Sequence, residues 1–320
     1  MARLAGGFGT AHSPQLCIPP EGWRPHGELF DLGGRLDRLA PSTRSEAELR
    51  SALEDDVIAA RHHACTIAMA RLHDEVKALA PAAIVIVGDD ERELFSDSGM
   101  PTLAVYWGKT IDDLPPGPDR YPPTMRSAYE AYHADEPESY EVAADLGLHM
   151  IERLVEDGFD PAQLSVQPEG RSVGHAFTFV RRRILGSACP PIVPLLLNTY
   201  YPPNQPTVSR CIALGRSLRA AVASWDADAD VLLCASGGLS HPIVDEELDR
   251  SVLEALAAMD EERLLAIPGE VFVEGTSEIK NWIVVGAALE HQHLDVIDYV
   301  PAYRSLAGSG CGMAFAVWRP

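Results

Sequence analysis

The chain has 320 residues, 26 of them basic and 47 acidic, for a formal net charge of −21. With 46% hydrophobic and 23% charged residues it has a globular composition and enough length for one extensive core, which excludes a mostly disordered chain. The acidic excess repels phosphate backbones and anionic lipid, so neither nucleic acid nor a membrane is an expected partner.

The opening residues, MARLAGGFGTAHSPQL, form an apolar segment interrupted by Gly and His, unlike the continuous apolar stretch of a secretory leader. The Pro-containing stretch 18–25 reads as a surface loop. The clearest helix begins at Ser45, with Glu48 three residues on as a capping box. Its apolar stripe runs Leu49, Leu53, Val57, Ala60, Ala64, Ala68, Leu72, Val76 and Leu79, and Pro81 ends it. Buried strands are predicted at Ile84–Val87, Leu103–Trp107, Ile192–Leu197 and Val231–Ala235, because each is a short apolar run bounded by turn residues. The segment 113–123 reads as a second Pro-rich loop, and further helices fit 141–157, 208–223, 246–265 and 278–290. Strand–helix alternation without a repeat or a flexible linker predicts a single α/β domain over 1–320, with a central, mainly buried sheet flanked by helices. No apolar run approaches the roughly 20 residues of a bilayer span. The six cysteines, at 17, 65, 189, 211, 234 and 311, form no C-x-x-C pair. A cytoplasmic protein with free thiols is the expectation.

Five islands carry side chains able to handle metals or protons. They are Gly9-Thr10-Ala11-His12-Ser13-Pro14, Gly88-Asp89-Asp90-Glu91-Arg92-Glu93, Ser172-Val173-Gly174-His175-Ala176-Phe177, Ser236-Gly237-Gly238-Leu239-Ser240-His241-Pro242 and Gly275-Thr276-Ser277-Glu278-Ile279-Lys280-Asn281-Trp282. Several follow predicted strands, where ligand sites of open α/β sheets gather. Individually they have plain readings: a hydrogen-bonded turn histidine, a solvated acidic turn, a glutamate at a helix N-terminus. Gly238-Leu239-Ser240-His241-Pro242 begins like a nucleophile elbow but has Pro where the final Gly belongs, and no phosphate-binding P-loop is present.

In this order the islands resemble the class III extradiol ring-cleavage dioxygenases. This LigB-type family includes the catalytic subunit of protocatechuate 4,5-dioxygenase, gallate dioxygenase and the dihydroxyphenylpropionate dioxygenases. The most specific pieces are Gly237-Gly238-Leu239-Ser240-His241 and Thr276-Ser277-Glu278-Ile279-Lys280-Asn281-Trp282, supported by Val193-Pro194, Tyr201-Pro202-Pro203 and Ala213–Ala221. The resemblance implies a LigB-like fold and a non-haem Fe(II) held by two His and one carboxylate; Mn(II) becomes an alternative where an Asp replaces one His and hardens the site. It implies a small aromatic substrate of the catechol type, a dihydroxy-aromatic or an aminophenol, opened by O2. His12 matches the first His ligand and Glu278 the carboxylate ligand. His241 matches the acid–base histidine and His175 the second active-site histidine, with Gly174 where an Asp is usual.

One position departs. The family has Asp-His after its central strand, and this sequence has Asp89-Asp90, with Asp90 at the place of the ligand His. Three readings follow: Asp90 (or Asp89) ligates the metal; His62 or His63 from the long helix substitutes; or the metal is lost and the chain is a non-catalytic, metal-free homologue. A metal-dependent hydrolase using the same site is a further alternative. Arg181, Lys280 and Arg304 could hold a substrate carboxylate. The segments 18–56 and 109–140 could cover the site in cis, as a small partner subunit does in some relatives, and a homo-oligomer is expected.

Overall fold

The inner strands form from continuous apolar runs because both faces of the sheet are covered. The computed structural model describes residues 1–34, 36–115, 117 and 122–320. In chain order the strands are β1 (Arg3–Thr10), β2 (Ala83–Gly88), β3 (Leu103–Tyr106), β4 (Thr110–Asp113), β5 (Glu138–Glu141), β6 (Ala162–Leu164), β7 (Ile192–Leu197), β8 (Asp230–Ser236), β9 (His293–Tyr303) and β10 (Gly310–Arg319). The helices are α1 (Trp23–Asp31), α2 (Glu46–Ala52), α3 (Asp55–Leu79), α4 (Arg126–Tyr132), α5 (Ala144–Glu156), α6 (His175–Phe179), α7 (Val208–Ser224), α8 (Glu246–Ala258), α9 (Glu261–Leu265) and α10 (Ile279–Ala288).

Eight strands make one sheet in the order β6-β3-β7-β2-β8-β1-β10-β9, and β4 pairs with β5 separately. The central four, β7, β2, β8 and β1, run parallel to one another; β3 joins β7 and β10 joins β1 antiparallel, β9 is antiparallel to β10, and β6 is parallel to β3. Alternate residues enter opposite cores. Val85, Val87, Val193, Leu195, Val231 and Leu233 pack under α5, α7, α8 and α10. Ile84, Ile86, Ile192, Leu196, Leu232 and Cys234 pack under α1, α2, α3 and α6. Each large side chain buried this way contributes roughly 1.5–3 kcal/mol. Among the described residues no helix is long and apolar enough to cross a membrane.

The predicted strands and the helices at 141–157, 208–223 and 278–290 are found within a few residues of their expected ends. The single helix from Ser45 is two. Its capping box is present, with Glu48 N donating to Ser45 Oγ and Ser45 N to Glu48 Oε2. However, Glu54 is extended (φ −64°, ψ 142°) and the chain restarts at Asp55, whose acidic first turn suits a helix N-terminus. The restart rotates the buried stripe of α3 to Ile58, Cys65, Ala68, Met69, Leu72 and Val76, leaving Ala60 and Leu79 exposed. The helix at 246–265 is likewise broken, at the left-handed Met259 (φ 56°), with Asp260 capping α9 through Arg263 N. Of the loop segments, residues 35, 116 and 118–121 lie outside the described residues.

Candidate metal centre

Four parallel strands direct their carboxyl ends to one edge of the sheet, so the loops that follow them meet there. His12 lies two residues beyond β1, Asp89 directly beyond β2, and Gly237–His241 directly beyond β8. Glu278 ends a 3-10 turn (Glu274–Glu278) that leads into α10, and His175 opens α6. His12, Asp89 and Glu278, all buried, present one ligand atom each within 4.8 Å of one another.

The tautomer of His12 follows from its partners. Ser236 Oγ donates its single hydrogen to the Ala176 carbonyl at 2.6 Å, so toward His12 Nδ1, 3.0 Å away, it accepts. His12 therefore carries its hydrogen on Nδ1, and the lone pair of Nε2 faces Glu278 Oε2 at 3.4 Å. Two acceptors facing each other in a buried site fit a shared cation. Asp89 gives the same indication. Its Oδ1 receives only a long contact from Asn281 Nδ2 (3.4 Å), and its buried Oδ2 has no hydrogen-bond partner. Burial, together with Glu278 and Glu91, pushes the Asp89 carboxyl well above the usual carboxylate range, a penalty that a cation would reverse. One imidazole and two carboxylates form a hard donor set suited to Fe(II) or Mn(II).

Glu278 does more than face the cation position. Its Oε2 accepts from Gly238 N at 2.7 Å, and its Oε1 lies 3.1 Å from His241 Nε2. Burial would raise the Glu278 carboxyl, but His241 holds it well below the usual range. The other nitrogen of His241, Nδ1, faces the Leu239 carbonyl at 2.9 Å, so both ring nitrogens point at acceptors. Burial alone would lower His241, and Glu278 reverses it, leaving the ring well above its ordinary value. The ring is clamped in place: a Cβ at Gly275 would lie 1.9 Å from His241 Cδ2, so only glycine fits there. His175 stands edge-on to His12, ring centroids 4.7 Å apart, and Tyr132 donates to the His12 carbonyl at 2.6 Å.

His12, His175, His241 and Glu278 line a cavity of about 600 Å³, with Asp89 buried behind them outside the lining. Its outer wall draws on His26, Leu29, Phe30 and Gly33 from α1 and the turn after it, and on Pro122, Met125, Tyr129 and Tyr132 at and before α4. Those residues come from both segments named above as possible covers.

The structure brings four of the expected residues together (His12, His175, His241 and Glu278) and corrects the fifth. Asp90 is turned away from the cluster: its carboxylate accepts from Leu94 N (2.7 Å) and Phe95 N (3.0 Å), shaping the loop after β2. Asp89, the less favoured neighbour, occupies the position expected of Asp90. His62 and His63 lie on α3 outside the cavity lining and outside the cluster, His62 against Trp23 with ring centroids 6.1 Å apart. Of the three cations, only Arg304 lines the cavity, its guanidinium 4.2 Å above the Phe30 ring. Arg181 pairs with Glu138, and Lys280 sits over Phe272. Ser236, Glu93 and Asn281 lay within the sequence islands but were given no role, and Tyr132 was missed. Ser236 and Asn281 sit at recognisable places, a strand end and one turn past Glu278, but nothing in the pattern announces their partners.

Residues 59–314 match the family described as the catalytic LigB subunit of aromatic ring-opening dioxygenase. The match contains Asp89, His175, His241 and Glu278, while His12 lies before it and reaches the site on β1. The mixed sheet flanked by helices is that of a LigB-like α/β domain. With most of its length matched, the chain belongs to the LigB family of catalytic subunits of aromatic ring-opening dioxygenases.

Proposed function

We propose that this protein is an extradiol dioxygenase that opens the ring of a catechol-type substrate, a dihydroxy-aromatic or an aminophenol, with O2 at a non-haem metal held by His12, Asp89 and Glu278. The observation that carries the reading is the buried cluster of one imidazole and two carboxylates, with Asp89 Oδ2 unsatisfied, two of whose members, His12 and Glu278, line a cavity together with two further histidines, His175 and His241. Bound Fe(II), or Mn(II), supplies Lewis acidity and electron transfer toward O2, with coordination positions left open by only three protein ligands.

The rest falls to this chain's own groups. The substrate hydroxyl must lose a proton on binding and the product side must regain one. His241 Nε2, whose tie to Glu278 Oε1 would loosen once that carboxylate holds a cation, and the cavity-lining ring of His175 are the proton-handling groups within reach. His241 is the principal acid–base and His175 assists by hydrogen bonding to substrate. Leu29, Phe30 and Met125 offer apolar surface to a bound ring, and the volume leaves room beyond a single ring, so a substituted aromatic fits. Both atoms of O2 enter the ring-opened product, and no external reductant is consumed.

Oxygen uptake measured against loss of ring absorbance over a panel of catechols and aminophenols tests this. One O2 per ring opened, dependent on Fe(II) or Mn(II), is the expected result. Turnover under anaerobiosis would replace it with a metal-dependent hydrolase. A protein that purifies without metal and gains no melting temperature on adding it would be a non-catalytic homologue.

A further inference from the structure

Glu93 lies four residues beyond Asp89 in the loop after β2, with its side chain 7% exposed. Its carboxylate accepts from His175 N at 2.9 Å, and both of its oxygens lie 3.0 Å from His175 Nδ1. Capping the start of a helix needs only the first of these contacts. The ring contacts add something that capping does not: they fix the rotation of the imidazole and place a hydrogen on Nδ1. Nε2 is then the nitrogen left for the cavity that the ring lines.

Space for this grip comes from Gly174. A Cβ there would lie 2.4 Å from Glu93 Oε2, although the backbone at 174 is extended (φ −72°, ψ 159°) and accessible to any residue. Burial would raise the Glu93 carboxyl, and His175, with His133 behind it, instead holds it down at about 2. The carboxylate is therefore charged, buried and committed to one histidine.

We propose that Glu93 is the positioning residue of His175, holding Nδ1–H so that Nε2 faces bound substrate. The proposal rests on the ring-opening reading above for its kinetic consequence, but not for its geometry.

Four variants and one spectrum test it. Glu93→Gln, which keeps the shape, lowers kcat about 100-fold, within the range of lost acid–base assistance, and leaves KM within threefold. The metal-dependent rise in melting temperature is unchanged in the same variant. Glu93→Ala behaves likewise. Gly174→Asp alone also lowers kcat, because its Cβ displaces Glu93. In the Glu93→Ala background, where the space is vacated, Gly174→Asp returns a carboxylate beside His175 and raises kcat at least tenfold. A merely structural role for Glu93 does not give this reversal of sign. In the resting wild-type protein, 15N spectra of the His175 ring show a protonated, hydrogen-bonded Nδ1 that is lost in Glu93→Ala. Glu93→Gln with kcat within threefold of wild type, or a double variant no better than Glu93→Ala, overturns the proposal. An unprotonated Nδ1 in the wild type overturns it even if no substrate is found. Absent oxygen uptake with the Nδ1 signal intact refutes ring opening and leaves the positioning role standing.

Discussion

Replacing Asp89 and Asp90 in turn by Asn separates two adjacent carboxylates with opposite assignments. Asp89→Asn keeps the side-chain shape, removes an anionic ligand, and relieves a buried like-charge pairing with Glu278. Metal-free Asp89→Asn protein is therefore expected to melt no lower than wild type. Asp90→Asn has the reverse profile. Asn offers one oxygen where Asp90 now serves two backbone N–H groups, leaving one buried donor unsatisfied at about 1–3 kcal/mol, with or without metal. A metal at 100-fold excess over its Kd adds about 2.7 kcal/mol to the native state. At about 2.1 cal/mol/K per residue, unfolding 320 residues has an entropy near 0.7 kcal/mol/K, so saturation should raise Tm by about 4 °C. Scanning calorimetry with and without Fe(II) under anaerobic conditions, or with Mn(II) in air, reads this increment. Wild type and Asp90→Asn should show it, and Asp89→Asn should not. If Asp90→Asn loses the increment while Asp89→Asn keeps it, the assignment of Asp89 to the metal is refuted.

Three further outcomes follow from the geometry. His241→Ala keeps the metal-dependent rise in Tm but loses turnover by about 10²–10⁴-fold, and full activity in that variant withdraws the acid–base role. Gly275→Ala forces its methyl into the His241 ring, so oxygen uptake should collapse while metal content, measured by elemental analysis, is retained. The third concerns Asp249, which accepts from Ser240 N, Ser240 Oγ and Tyr299 OH and so fixes the loop carrying His241. Burial pushes its carboxyl up to about 6, from an unfolded value near 4. The native state thus binds the proton more tightly than the unfolded chain. Its contribution is most favourable below pH 4 and is lost as pH rises to 6, by about 3 kcal/mol. Denaturant titrations should show wild type losing about that much relative to Asp249→Asn between pH 4 and 7, and a pH-independent difference would contradict the assignment.

The parts of the fold legible in the sequence are those where burial on both faces leaves an unbroken apolar run, as in Ile84–Val87 and Ile192–Leu197. β9 was not legible: His293, Asp295 and Asp298 interrupt it, an edge strand with one face toward solvent, and such alternation is a weaker signal than a continuous run. β10 was passed over although its Cys311–Trp318 stretch is a buried apolar run of the legible kind. The break at Glu54 was masked because the apolar spacing continues through it. Within the site, His12, His175, His241 and Glu278 were legible as islands joined by an ordered resemblance. The choice between Asp89 and Asp90 was not. Successive side chains beyond a strand end diverge, and which one turns inward depends on the N–H groups of Leu94 and Phe95, four and five residues downstream of Asp90. Glu93 gave no pattern of its own. Only the glycine at 174 hinted that a carboxylate comes to His175 from another loop.

The strand that delivers His12 has one more consequence. β1 is bracketed by β8 and β10, segments translated more than 200 residues after it. During synthesis His12 emerges early and waits, its strand unpaired, until both flanking strands have left the exit tunnel. A pocket assembled from segments more than 200 residues apart closes late, so on the reading proposed above metal would load only after β8 and β10 are made, and a chain cut short before them would carry His12 and Asp89 without being able to gather them.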